Sequence, residues 1–219
     1  MENKFAQQSP LIEKGLEDQL KLLLANLTLP VQLTCIAGDR EKDREMGAFL
    51  NHLTGLNQNL SCVFLSPGEK PQCDEILDSS MLPATGIGAP GGIPRMVFHG
   101  IPGGKEISSF ASAILVSGGA AKPLDKYTLK DIGKVRSPML LQVCVSLACQ
   151  HCSQLAASAM RMAYENPQIV THVIDANLYP ELVEKYRIER VPLLIVNEKD
   201  LFPGGKTMGE LTTLLAKYK

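Results

Sequence analysis

Tryptophan is absent from the 219-residue chain, and aromatic residues make up only 5% of it. Without such rings a surface that stacks nucleic-acid bases is not expected. An excess of one charge is missing too: 22 Lys and Arg face 23 Asp and Glu, a formal net charge of −1. That balance excludes a broad basic surface for nucleic acid or anionic lipid. No run approaches the roughly 18 apolar residues of a membrane span. The start, Met1-Glu2-Asn3-Lys4-Phe5-Ala6-Gln7-Gln8, lacks the apolar core of a secretory leader. These absences make the cytoplasm the expected location, where structural disulfides are rare. Its six cysteines therefore need separate explanations rather than a disulfide framework.

What is present is a pattern written twice. Leu11, Leu16, Leu20, Leu23, Leu24 and Leu27 share one helical face, and Pro30 stops that helix. Val31 to Ala37 reads as a strand, Met46, Phe49, Leu50 and Leu53 as the inner face of a helix, and Leu60 to Leu65 as a second strand. Pro138 opens the same order again: a strand from Met139 to Leu147, a helix from near Cys149, and a strand from Ile169 to Asp175. Pro30 and Pro138 are 108 residues apart, Cys35 and Cys144 are 109, and Leu65 and Asp175 are 110. A period this long suits a duplicated domain rather than a solenoid. Each half then closes through a Pro-led hairpin. Ile93-Pro94-Arg95-Met96-Val97-Phe98 leads to a helix from about Ser108, and Val191-Pro192-Leu193-Leu194-Ile195-Val196 to one from about Thr207. Gly118-Gly119-Ala120-Ala121-Lys122-Pro123 marks the break, followed by a short helix near Tyr127 to Val135. The expectation is an α/β chain of two domains, 1–120 and 121–219, each a mixed sheet flanked by helices. Residues 66–92, rich in Pro and Gly, have no clear period and are expected to hold one short strand or helix.

The chemistry concentrates in Val145-Ser146-Leu147-Ala148-Cys149-Gln150-His151-Cys152. A strand ends, a tight turn follows, and two cysteines stand three positions apart as a helix begins. Unpaired N–H groups and the macrodipole at a helix start favour a thiolate, which makes Cys149 the expected nucleophile. Cys152, one turn on, is placed to resolve the mixed disulfide that Cys149 forms. A zinc knuckle needs four ligands, and no second C-x-x-C exists, so no metal is expected. Strand, C-x-x-C and helix in this order read as a thioredoxin-like redox site. Such a fold sets a cis proline opposite the dithiol, and Val191-Pro192 is the candidate, its backbone orienting an extended substrate. His151 adds partial positive charge beside the thiolate. The matching turn of the first half, Asp39-Arg40-Glu41-Lys42, has no cysteine, and that half is expected to scaffold or recognise, with Ile93-Pro94 the place for its own cis bond.

At this point the chain resembles the N-terminal domain of the alkyl hydroperoxide reductase flavoprotein subunit, related to the protein disulfide oxidoreductase and glutaredoxin-like family. The resemblance rests on Gln19-Leu20-Lys21 through Pro30-Val31-Gln32-Leu33, Phe98-His99-Gly100-Ile101-Pro102-Gly103-Gly104-Lys105-Glu106, Ser146-Leu147-Ala148-Cys149 and Val191-Pro192. It implies two tandem thioredoxin-like folds with one C-x-x-C, in the second. It also implies electron transfer from a flavin-dependent, thioredoxin-reductase-like donor to a peroxiredoxin disulfide. The resemblance further implies that Glu106 is an acidic residue near the dithiol, able to relay a proton. Gln150-His151 departs from the His-Asn pair usual between the cysteines. Without the flavin and nicotinamide domains of that flavoprotein, the sequence is expected to be either a stand-alone carrier with a separate reductase or a fragment of a longer chain.

Other signals are set aside. Gly86-Ile87-Gly88-Ala89-Pro90-Gly91 fits G-x-G-x-x-G by letter, but Pro90 and Pro94 prevent the helix start that a pyrophosphate needs. It is read as a loop, and no bound cofactor is expected beyond the Cys149–Cys152 disulfide. Cys35, Cys62 and Cys144 read as inert strand thiols and Cys73 as a loop thiol, while His52, His99 and His172 read as surface or strand residues. Besides the peroxide-linked carrier, a general protein disulfide oxidoreductase or isomerase and a non-catalytic binding adaptor fit the same sequence. A homodimer is compatible with each.

Overall fold

Pro30 ends the first helix, and the apolar segment after it can only go inward. In a computed structural model, which describes residues 4–218, that segment becomes the central strand of a sheet. Helix α1 is Lys14–Leu24, strand β1 is Val31–Ile36, helix α2 is Glu41–Thr54 and strand β2 is Leu60–Leu65. Then come α3 (Pro71–Ile76), β3 (Ala84–Gly88), β4 (Met96–His99), a 3-10 turn at Gly104–Glu106 and α4 (Ile107–Ser117). The remainder is α5 (Lys126–Ile132), β5 (Met139–Val145), α6 (Cys152–Glu165), β6 (Ile169–Asp175), α7 (Pro180–Tyr186), β7 (Leu193–Val196), β8 (Asp200–Pro203) and α8 (Met208–Leu215).

The chain divides into two compact units. The first takes residues up to Pro94 with Phe98–Ile101 and Ile114–Ala121; the second takes Arg95–Val97, Pro102–Ala113 and the residues from Lys122 onward. In the first, β1 lies between parallel β2 and antiparallel β3, with Val31 opposite Leu60 and Cys35 opposite Thr85. Phe49, Leu50 and Leu53 of α2 and Leu33 and Ile36 of β1 are buried in its core. In the second, the order is β6-β5-β7-β8, with β5 parallel to β6 and antiparallel to β7. Val143, Leu155, Ala159, Leu194 and Leu211 are buried there. In each unit the strands pair in both parallel and antiparallel senses with helices packed on them, all eight strands belonging to one mixed sheet.

Three local readings need correction. The first-helix stripe is narrower than its leucines suggest: Leu20, Leu24 and Leu27 are buried, while Leu11 is 45% and Leu23 36% exposed. Leu11 precedes the helix, and a short surface helix needs only a strip of its circumference covered. Residues 66–92 hold both a helix, α3, and a strand, β3. Strand β3 reads Ala-Thr-Gly-Ile-Gly, poor in the residues that usually mark a strand. Its Gly86 is required by packing, because a Cβ there would come within 2.5 Å of the Pro94 ring. The supposed glycine loop is therefore partly a buried strand. Finally, the cis bonds are Leu82–Pro83 and Val191–Pro192, and Ile93–Pro94 is not one of them. Pro83 stands 109 residues before Pro192, in step with the Cys35 and Cys144 spacing, whereas Pro94 leads the strand after it.

Candidate active site

The turn after β5 carries both motif cysteines. Its backbone closes early, with the Cys149 N–H donating to Ser146 O at 2.9 Å. Helix α6 consequently starts at Cys152 with His151 as its N-cap, three positions later than the expected start at Cys149. Cys149 is partly exposed and Cys152 is completely buried. The two form a disulfide, with Cα atoms 5.6 Å apart. The Cys149 sulfur lies 3.9 Å from the Val191 carbonyl oxygen. Pro192 is buried behind it, and His151 is exposed at the mouth of the turn. Val191 and Pro192 also line an open groove of about 590 Å³ with Arg187, Arg190, Leu201 and Pro203. The half-exposed sulfur thus lies beside Val191, which lines a groove of apolar side chains with Arg187, Glu189 and Arg190 among them.

Glu106 belongs to the same compact unit. It is fully buried, not a solvated charge beside a turn. The Ser109 hydroxyl donates to its Oε2 at 2.6 Å, and Oε1 has no hydrogen-bond partner among the described residues. Burial pushes this carboxyl up to about 7; the Ser109 hydrogen bond opposes that, and the nearby Asp175 charge reinforces it. The turn holding Glu106 is fastened to the dithiol loop, since Lys105 N–H donates to Leu147 O at 2.9 Å. Gly104 makes the approach possible. Its φ is +53°, and a Cβ would stand 2.4 Å from Leu147 O. Gly104→Ala is therefore expected to destabilise the fold by at least about 2 kcal/mol, read as a lower urea midpoint with unchanged slope. An unshifted midpoint would show that the turn is not held there.

Asp175 is a site residue that sequence reasoning passed over, although an acidic residue closing the apolar run Ile169–Asp175 is a visible signal. It is buried, and accepts from the Asn177 backbone N–H at 3.2 Å. The remaining thiols stay apart from this chemistry. Burial pushes Cys35 and Cys144 up to about 12 and raises Cys62 as well, while Cys73 is half-buried on α3. His52 is neither surface nor strand: it is buried on α2, and its Nδ1 accepts from Ser9 N–H at 3.3 Å. His99 and His172 are buried in strands. Among the described residues no group of three or more His, Cys, Asp or Glu could hold a metal, and no helix is long and apolar enough to cross a membrane.

Mixed sheets, a strand-end C-x-x-C with one sulfur exposed and one buried, and a proline loop against the exposed sulfur define a thiol–disulfide oxidoreductase of the thioredoxin-like class. Residues 139–216 match the thioredoxin domain family. Over 187 residues the chain is 26% identical to the AhpF component of alkyl hydroperoxide reductase in Pseudomonas aeruginosa, covering 85% of this chain and 34% of that protein. The "NTD_N/C" domain of alkyl hydroperoxide reductase AhpF from Enterococcus faecalis superposes with a TM-score of 0.87 at 26% identity, over 93% of this chain and 99% of that one. A protein disulfide oxidoreductase from Aeropyrum pernix shares the fold, with a TM-score of 0.82 at 17% identity over 94% and 92% of the two chains. The chain is thus similar to that domain of AhpF, and spans about a third (34%) of the Pseudomonas aeruginosa relative's length.

Proposed function

We propose that this chain is a cytoplasmic electron carrier, taking electrons from a flavin-dependent, thioredoxin-reductase-like protein and delivering them to a peroxiredoxin disulfide. One observation carries the reading: a half-exposed Cys149 joined to a buried Cys152, beside Val191, in a chain alike along most of its length to a peroxide-reductase domain. The donor reduces the disulfide to two thiols. The Cys149 thiolate then attacks one sulfur of the acceptor disulfide, forming a mixed disulfide and releasing the other acceptor sulfur as a thiolate. Cys152 gives up its proton and attacks Cys149, freeing the second acceptor thiolate and restoring Cys149–Cys152. Two electrons have moved to the acceptor, whose two thiolates take up two protons to replace those that Cys149 and Cys152 released. In this reading Glu106 accepts the Cys152 proton, Val191 and Pro192 align the acceptor chain, and His151 favours the Cys149 thiolate. The first fold, 1–120, scaffolds or recognises and lends Glu106 to the site, and the second, 121–219, carries the dithiol.

The test couples peroxide consumption to NADH or NADPH, adding the chain, a reductase and a peroxiredoxin in turn. Turnover is expected only with all three, because a dithiol passes on electrons that another group must supply. A redox titration of Cys149–Cys152 is expected between about −200 and −270 mV, the range of thiol carriers. A potential near −120 mV, or efficient insulin reduction without peroxide turnover, would replace this reading with a general disulfide oxidoreductase or isomerase.

A further inference from the structure

The first unit has its own turn between a central strand and a long helix, and the packing fixes how it corresponds to the second. Asp43, Met46, Gly47, Leu50 and Leu53 are buried on α2; Cys152, Leu155, Ala156, Ala159 and Met162 are buried on α6. Each residue of the first set stands 109 positions before its counterpart, the same interval that separates Cys35 from Cys144 and Pro83 from Pro192. On this alignment Asp43 takes the place of Cys152, Arg40 that of Cys149, and Leu82 that of Val191. Burial and contacts agree, although α2 starts at Glu41 and α6 two aligned positions later, at Cys152. Asp43 is fully buried like Cys152, and the Arg40 side chain is 62% exposed, at the outer position. Arg40 Nε donates to Asp43 Oδ2 at 2.9 Å and Nη2 to Oδ1 at 3.2 Å, so a two-point ion pair spans the positions that a disulfide spans in the other unit. Arg40 Nη2 also donates to Leu82 O, as the Cys149 sulfur faces Val191 O.

We infer that Arg40 and Asp43 form a closed counterpart of the dithiol site, an ion pair in place of a disulfide, whose arginine occupies the backbone carbonyl that would otherwise receive a substrate strand. The first unit thus retains the geometry of an exchange site while presenting neither sulfur nor a free Leu82 carbonyl. Substrate disulfides have a single port on the chain, at Cys149.

If the correspondence holds, cysteines at both positions are placed to link. The full chain carrying C149S and C152S, with R40C and D43C added, would be oxidised with glutathione disulfide. The two introduced thiols are expected to lose two electrons and two protons to it, yielding two glutathione molecules and a chain two hydrogens lighter. Peptide mapping is expected to join positions 40 and 43, and dithiothreitol to reverse the link. The C149S/C152S parent is the control, expected to show no such loss. R40C alone in that background lacks the inner sulfur and is expected to keep a stable mixed disulfide with glutathione. Introduced thiols that stay free in a folded chain, or that pair with Cys35 instead, overturn the inference. Where the double substitution unfolds the chain, R40C decides: no mixed disulfide overturns it. Unfolding of both variants overturns it too, since the pair would then be core packing and not an exchangeable site.

Discussion

Cys152→Ser is expected to arrest the reaction with the acceptor covalently attached through Cys149, whereas Cys149→Ser should capture no acceptor at all. The difference follows from burial. Cys149 is partly open to solvent at the end of the β5 turn, and Cys152 has no exposed surface. An acceptor sulfur must approach in line with the attacking thiolate, and only the outer sulfur allows that without opening the fold. Once Cys149 is bonded to the acceptor, the fastest exit is attack by a neighbouring thiol, and Cys152 sits one short turn away. Removing it leaves the mixed disulfide intact. Both substitutions should reduce peroxide turnover to the level seen without the chain, so turnover alone cannot tell them apart. Intact-mass spectrometry after mixing reduced variant with oxidised peroxiredoxin can. Iodoacetamide, at neutral pH, should label Cys149 ahead of Cys152 in the reduced parent. Equal trapping by the two variants, or the reverse labelling order, overturns the assignment.

Much of this site was readable because its signals are local. Two cysteines at a strand end, a proline-led strand some forty residues on, and matched intervals near 109 all survive without knowledge of packing. What escaped depends on which groups the fold buries. Asp43 follows Asp39-Arg40-Glu41-Lys42, and a run of charges reads as solvated. Its burial becomes visible only once α2 is set against β1. For Glu106, beside the Pro102-Gly103-Gly104 turn, burial and the Ser109 hydrogen bond likewise become visible only in the folded chain. The helix start moved from Cys149 to Cys152 because one hydrogen bond, Cys149 N–H to Ser146 O, continues the turn. Helix ends are the least determined part of any such reading. The misplaced proline has a different cause. Ile93-Pro94 and Val191-Pro192 share their flanking residues, each proline leading an apolar run, whereas the interval of 109 residues leads from Pro192 back to Pro83. Strand β3, next to it, carries two glycines and no strong strand former beyond Thr85 and Ile87, so local propensity concealed the strand that Pro83 leads.

Glu106→Gln is expected to leave the chain more stable and slower, a combination that a merely structural residue would not give. Burial holds the Glu106 carboxyl at about 7 in the folded chain against an ordinary 4.5. Below pH 4.5 both states are protonated, and the group adds no pH dependence. Between about 4.5 and 7 the unfolded chain releases the proton while the folded chain keeps it, so the folded state binds more protons and stability falls as pH rises. Above 7 the loss is complete, at most about 3–4 kcal/mol from a shift of that size. Glutamine removes this slope. In urea unfolding the variant should match the parent near pH 4 and exceed it at pH 8, by somewhat less than that limit because its buried amide also needs partners. Exchange should move the other way. Attack by Cys152 requires its proton to leave, and an ionised Glu106 is the base in the proposed reaction. The parent's resolving step is therefore expected to quicken as pH rises through 7, and the glutamine variant to lose that inflection. At pH 8 the deficit should be on the order of 10²-fold, the usual contribution of a positioned base. Below pH 6, where the parent carboxyl is itself protonated, the two rates should converge. Stopped-flow measurement of mixed-disulfide resolution across pH 5 to 9 reads this directly. A variant that keeps the parent's inflection near 7 would remove Glu106 from the proton path, even if its stability profile flattened as expected.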